Sequence, residues 1–386
     1  MDRSNQRLRS LPEYALAEVQ RLRREAEEAG RDLIDLGVGD PDLPTPRPIV
    51  ERAKRALSEP ANHRYPFGFG LMEFREAAAD YLDRRFGVRV DPTSEILPLL
   101  GSKDAIAHLP LAILDPGEAL LFSEPGYPAY RASAILAGAE PHALPLEEGA
   151  GYLPRFESVP GEIADRVGLM YLNYPNNPTG AAASAAFLDE AVEWCGHRGA
   201  VLCHDAPYLE VYYGEGRAPS ALAASPGAEH VVELHSLSKT FSMCGWRIGF
   251  AAGSAGVLQA LSHGKAYIDT GAFLVVQHAA AEALNRAEEL IPPLLETYRR
   301  RRDLLVSGLC AAGWRVEPPA GTFYLWARVP TGESSFAFSR RMLAENAVVI
   351  TPGSGIAPSA ERYVRLSFTD SEDRISEACE RLKRSI

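Results

Sequence analysis

The chain is short of cysteine. It has five in 386 residues, at 195, 203, 244, 310 and 379, scattered and odd in number, with no C-x-x-C pair. That excludes a disulfide framework and a zinc site built on cysteine pairs, and it fits a reducing compartment. Long apolar runs are missing as well: no stretch approaches eighteen uninterrupted apolar residues, so no membrane span is expected. Arg3, Arg7 and Arg9 near the N-terminus precede no apolar segment, so a signal peptide is not expected and the cytoplasm is the expected location. Basic charge is in deficit, with 40 Lys and Arg against 51 Asp and Glu and a net charge of −11, which argues against nucleic acid or an anionic membrane as the main partner. No metal-ligand spacing is seen, and G-x-x-x-x-G-K-[ST] and G-x-S-x-G are both lacking. Gly37-Val38-Gly39 and Gly68-Phe69-Gly70 each lack the third glycine of a dinucleotide-binding turn.

What is present is ordinary for a globular enzyme: 46% hydrophobic and 24% charged residues, on a chain long enough for two or three folding units. Helical periodicity marks 13–29, closed by Gly30, and 72–86, while 48–57 is a helix entered through proline. Prolines and glycines at 60–70 mark a loop around Tyr65. Short apolar runs at 96–100, 119–122, 167–172, 200–203, 231–234 and 248–251 then alternate with helical segments at 103–114, 127–137 and 184–195. Buried strands separated by helices predict an α/β fold with a mostly parallel sheet covered on both faces, and ligands bound at the carboxyl ends of its strands. From 273 the chain reads as helical, with a long charged helix at 293–312, strands at 322–327 and 363–368, and a last helix at 371–384. The expected division is a large domain over 48–285 and a smaller α+β domain formed by 1–47 with 286–386.

The loops after the strands carry the chemistry. Residues 234–249 hold Lys239 among the hydroxyls of Ser236, Ser238 and Thr240, with Arg247 eight residues on. An amine with a nearby cation can act as a nucleophile, and hydroxyls with an arginine suit a phosphate dianion. Together they suggest a phosphorylated aldehyde, and pyridoxal 5′-phosphate (PLP) is the cofactor that fits. Taken alone, the same string also reads as a surface loop with a solvated lysine. Gly101-Ser102-Lys103 opens a helix and is either an anion site or an ordinary cap by Ser102. Glu124 to Pro128 places Tyr127 on a stiff loop, where it would stack on a planar ligand or simply pack. Asn173 to Gly180, with two prolines and paired asparagines, is a rigid turn able to hold an amide at a strand tip. Asp205 at another tip would pair with a protonated pyridine nitrogen, or cap a helix, with Tyr208 three residues on; His204 reads as structural.

These loops, in this order, resemble the class I/II aminotransferases, PLP enzymes of fold type I, from Leu36-Gly37-Val38-Gly39-Asp40-Pro41 to Val364-Arg365-Leu366-Ser367. The resemblance implies that Lys239 is the Schiff-base lysine and that Asp205 partners the ring nitrogen. It further implies that Asn177 and Tyr208 bond the cofactor's 3′-oxygen and that Tyr127 stacks on its ring. Ser102, Lys103 through its N–H, Ser236 and Arg247 would form the phosphate socket. Tyr65 would reach the phosphate of a neighbouring subunit in a homodimer with shared active sites. Arg365 would grip the substrate α-carboxylate with Gly39 beside it, Asn177 and Tyr127 also touching the substrate. Pro125 and Pro178 match positions preceded by cis bonds in relatives. The substrates implied are an amino acid and a 2-oxo acid. No arginine stands near 270–275 for a side-chain carboxylate, which disfavours aspartate, while alanine or another neutral donor stays open. Elimination, oxidation or cyclisation on the same fold also stays open.

Overall fold

The computed structural model describes residues 3–11 and 16–383, with backbone alone at 16–20. Twelve strands are seen among them: β1 (Ile34–Asp35), β2 (Ile96–Leu99), β3 (Ala119–Glu124), β4 (Glu140–Pro145), β5 (Val167–Leu172), β6 (Val201–Asp205), β7 (Val231–Ser236), β8 (Gly249–Gly253), β9 (Tyr324–Arg328), β10 (Val348–Val349), β11 (Thr351–Pro352) and β12 (Tyr363–Ser367). Strands β2 to β8 form one sheet in the order β2-β8-β7-β6-β5-β3-β4. All its pairs are parallel except those of β8, which runs antiparallel to both β2 and β7. The expected mostly parallel α/β sheet is therefore present.

Side chains alternate across this sheet with period two. One face carries Leu121, Met170, Leu172, Leu202, Val231 and Phe250 against helices Met72–Phe86, Ala185–Gly196 and Leu274–Asn285. The other carries Leu120, Phe122, Leu169, Tyr171, Val232 and Leu234 against helices Ser102–Ile113, Ala129–Ala137 and Ala255–Lys265. Because both faces are covered, β2, β7 and β8 are buried at every position; β2 and β8 carry no charged residue, while β7 buries Glu233 and His235 within its run. Edge strand β4 is the exception. Its residues are mostly half-exposed, its sequence lacks an apolar run, and it is not anticipated.

A separate core joins β9, β11 and β12 to the pair β1–β10 and to helices Ala287–Ala311, Ser335–Asn346 and Glu372–Leu382, around Ile34, Leu305, Phe338, Leu366 and Ile375. Helix Ala287–Ala311 begins six residues before the expected 293, because Pro292 and Pro293 fall in its second turn rather than opening it. Helix Ser335–Asn346, capped by Ser334, was not anticipated. The helix expected over 13–29 is seen from Leu16 to Glu28, with Gly30 left-handed beyond it; 13–15 lie outside the described residues, as does 384 of the last helix. The loop at 60–70 contains one 3-10 turn, Pro60–His63. The bonds before Pro125 and Pro178 are cis, as the resemblance implied, and so is that before Pro175. Among the described residues no helix is long and apolar enough to cross a membrane.

Candidate active site

Strands β5, β6 and β7 end side by side, and their following turns line a cavity of about 250 Å³. Parallel strands all point their carboxyl ends to one edge, so residues far apart in sequence meet there. Ser102, Lys103, Tyr127, Asn177, Asp205, Tyr208, Ser236, Lys239 and Arg247 all line this cavity.

Lys239 sits in the one-turn helix Leu237–Thr240 that follows β7, directly after Ser236, whose side chain caps that turn. Its Nζ donates to the Gly39 carbonyl at 3.1 Å and lies 3.6 Å from Cys244 Sγ. Gly39 has no room for a side chain, since a Cβ there would overlap the Tyr324 hydroxyl.

Asp205 is 3% exposed at the end of β6. Tyr130 Oη donates to its Oδ2 at 2.6 Å, while Oδ1 has no partner. Burial pushes its carboxyl up to about 6, against the lowering effects of Tyr130, His204, Ser102 and His235. Asn173, at the end of β5, donates from Nδ2 to the Asp205 carbonyl at 2.7 Å and accepts the Asn177 N–H at 2.8 Å. The turn carrying Asn177 is thereby fixed to the strand carrying Asp205.

At the other end of the cavity, Gly101 leaves β2 with φ of +83° and is itself the cap of helix Ser102–Ile113, so Ser102 is the first helical residue rather than the cap. A Cβ on Gly101 would come within 2.5 Å of Arg247 Nη2. Arg247, itself left-handed at φ of +54°, donates to the Cys244 and Leu100 carbonyls at 2.9 and 3.2 Å. Free N–H groups at that helix start, the Ser102 and Ser236 hydroxyls and this guanidinium together make a concave anion cradle. Arg365, on β12, reaches in from the second core: Nη1 donates to Asn177 Oδ1 at 3.0 Å and Nη2 to the Gly37 carbonyl at 2.9 Å. Its guanidinium carbon lies 4.1 Å from the Tyr324 ring centre. Tyr208 is buried against Phe323 and Tyr324.

Gly39 and Arg365 do not line the cavity but bond Lys239 and Asn177, which do, whereas Tyr65 lies apart. It is 70% exposed, beside Phe67, and does not line the cavity of its own chain. Seven cavity residues escaped the sequence reading as site residues: Asp40, Tyr130, Asn173, Pro207, Ser238, Cys244 and Tyr324. Asp40, Asn173, Pro207, Ser238 and Cys244 stand within strings the sequence singled out, whereas Tyr130 and Tyr324 depend on approaches across the fold.

The residues fit a phosphorylated pyridine aldehyde. A buried carboxylate oxygen lacks a partner, a glycine-lined cradle stands beside an arginine, and an amine lines the same cavity. Comparison with known proteins agrees. Residues 31–382 match the aminotransferase class I and II family, and the chain belongs to it. It is thus a PLP-dependent aminotransferase of the fold type I α/β class. It is 46% identical to the LL-diaminopimelate aminotransferase of Desulforudis audaxviator, over 98% of this chain and 96% of that one. The enzyme of that name from Moorella thermoacetica is 44% identical, over 98% and 97%. The structure of a probable N-succinyldiaminopimelate aminotransferase from Thermus thermophilus superposes with a TM-score of 0.91 at 36% identity, covering 96% of this chain and all of that one.

Proposed function

We propose that the chain transfers an amino group from LL-diaminopimelate to 2-oxoglutarate, a step of lysine biosynthesis, with Lys239 as the residue that holds the cofactor and moves the proton. The observation that carries the site assignment is the convergence on one cavity of the Lys239 amine, the unpartnered Asp205 oxygen and the Gly101–Arg247 cradle. The donor is carried by the likeness to curated relatives of that name over nearly the whole chain.

When bound, PLP supplies an electron sink for the pair left behind as the substrate's α-C–H bond breaks. Ser102, the Lys103 N–H, Ser236 and Arg247 hold the phosphate. Tyr127 packs on the ring face, and Asn177 and Tyr208 address the 3′-oxygen. Asp205, as the anion, keeps a proton on the ring nitrogen by charge pairing. Arg365 would orient the substrate by a two-pronged bond to its α-carboxylate, with Gly39 beside it. Lys239, as the free amine, would take the α-proton at Nζ, hold it and give it up again, while bound PLP would supply the electron sink. Tyr324, closing over Arg365 and Gly39, limits water at the reacting atoms.

Two copies are proposed to assemble with shared sites. Tyr65, Phe67, Tyr267, Ile268 and Phe273 are all large, apolar and more than 40% exposed, as an uncovered subunit face would be. Residues 48–285 form the large domain and 1–47 with 286–386 the small one, which is consistent with their separate cores. The five free cysteines support a cytoplasmic location.

The test is purified protein with LL-diaminopimelate and 2-oxoglutarate, following glutamate formation, beside N-succinyl-diaminopimelate, alanine and aspartate as donors. Turnover highest with LL-diaminopimelate is expected. Preference for the succinylated donor would support the second reading, which the Thermus neighbour's name suggests. A product other than glutamate would remove transamination by this site.

A further inference from the structure

Behind the cavity, on the far side of the sheet edge, lies a buried carboxylate that the mechanism does not use. Glu233 is fully buried in β7. Its Oε1 accepts from Ser220 Oγ at 2.9 Å and faces His235 Nε2 at 2.8 Å; its Oε2 accepts from the Ala221 N–H at 2.8 Å and faces His204 Nδ1 at 2.8 Å. Each oxygen thus has two polar partners, one of them a histidine nitrogen. Burial alone would raise this carboxyl, and the hydrogen bonds from His204 and His235 more than offset it, holding it well below the usual carboxylate range.

His204 is equally constrained. Its Nε2 lies 3.0 Å from the Tyr174 carbonyl, which can only accept, and its Nδ1 faces the ionised Glu233. Both ring nitrogens are therefore held, Nδ1 by β7 and Nε2 by the 173–180 turn. Its position is what matters. It immediately precedes Asp205 on β6, and the carbonyl it holds belongs to the turn that carries Asn177, next to the Asn173 link already described. His235 in turn immediately precedes Ser236 and stacks on Phe250 at 4.6 Å. One carboxylate thus fixes three elements that present cofactor-binding groups.

We propose that His204, clamped by Glu233, is a positioning residue for the cofactor: it locks the Asp205 strand tip to the Asn177 turn. This rests on the reading of Asp205 as the partner of the ring nitrogen. The ionisable and polar groups acting on Asp205 are Tyr130 and Ser102 from the helices of one sheet face, Cys203, His204 and Tyr208 on or near its own strand, and His235 from β7. Apart from His204 and His235, none of these can carry positive charge. On His204's other side, Glu233 and the Tyr174 carbonyl are its direct partners.

The test compares His204→Gln, Ser220→Ala and Asp205→Asn. Ser220 donates to the same carboxylate but carries no charge, so its loss reports the structural part alone. For each, PLP binding to the apoprotein is titrated by absorbance from pH 5 to 9, together with the melting temperature and the kcat profile. His204→Gln is expected to weaken PLP binding at pH 7 about tenfold. It is also expected to move the acid limb of binding and of kcat upward by about half a pH unit or more, with Ser220→Ala leaving that limb in place. A His204→Gln limb coincident with the wild type, whatever the change in melting, overturns the proposal. If Asp205→Asn leaves PLP affinity intact, the reading of Asp205 falls first; if it weakens binding while His204→Gln does not, the present inference alone falls.

Discussion

Replacing Tyr130 by Phe removes one oxygen and tests the electrostatics of the site with little change in packing. The hydroxyl donates to Asp205 Oδ2 at 2.6 Å, and the two residues are 1% and 3% exposed. The ring keeps its stack on Tyr171, with centroids 5.0 Å apart. A hydrogen bond to a buried charge contributes about 1.5–3 kcal/mol. At about 1.36 kcal/mol per unit, its loss raises the Asp205 carboxyl by about one to two units. Starting from about 6, the variant's carboxyl would titrate near pH 7 to 8, and the ionised fraction at pH 7 would fall from about nine-tenths to about a half or less. PLP affinity and kcat should drop at pH 7 and recover by pH 9.5. The stability of the apoprotein follows with a definite sign. A carboxyl raised above its unfolded value favours the folded state below about pH 4, and that contribution is lost as pH rises through about 6, or through 7 to 8 in Tyr130→Phe. The assay is the pH profile of kcat/KM and of PLP binding from pH 5 to 9.5. An acid limb within about 0.2 units of wild type would refute the reasoning, because a buried donor to that oxygen could not then be stabilising its charge.

Three further outcomes are expected. Gly101→Ala forces a left-handed residue to carry a Cβ at 2.5 Å from Arg247 Nη2, at a cost of about 1–2 kcal/mol in backbone strain; PLP affinity should fall while that for pyridoxal, which has no phosphate, changes little, and equal losses would contradict the cradle. Arg365→Lys, exchanging a fork for a point charge, should lower kcat/KM about 30- to 100-fold, mainly through KM; an unchanged KM for the amino donor would count against the carboxylate site. The Cys244 thiol is pushed up to about 11 by burial, despite Lys239 beside it. Iodoacetamide at pH 7.5 should therefore label exposed Cys310 long before Cys244, and prompt labelling of Cys244 would contradict that environment.

The large sheet was legible because it is buried on both faces, so β5 shows in the sequence as an apolar run ending in a turn rich in proline and asparagine. Edge strand β4 was not, since exposure removes the apolar signal. The site divides in the same way. Lys239, Asp205, Asn177 and Arg247 stand in conspicuous strings just after strands, and the fold carries them to one cavity. Tyr130 is invisible locally, because its meaning comes from an oxygen 75 residues away in sequence. The Glu233 clamp is hidden similarly: His204 reads as structural until both of its partners are seen. Tyr65 stays outside the single chain's cavity, and only a second copy could give it the role the resemblance implies.

The central claim is that Lys239 is the residue bonded to the cofactor. Reducing the holoenzyme with borohydride fixes PLP covalently to its lysine, and mass spectrometry of the digested protein then locates the pyridoxyl group. The account predicts that group on Lys239, and its loss on prior incubation with LL-diaminopimelate. A pyridoxyl group on Lys103 or Lys265, or none on any lysine, would contradict it.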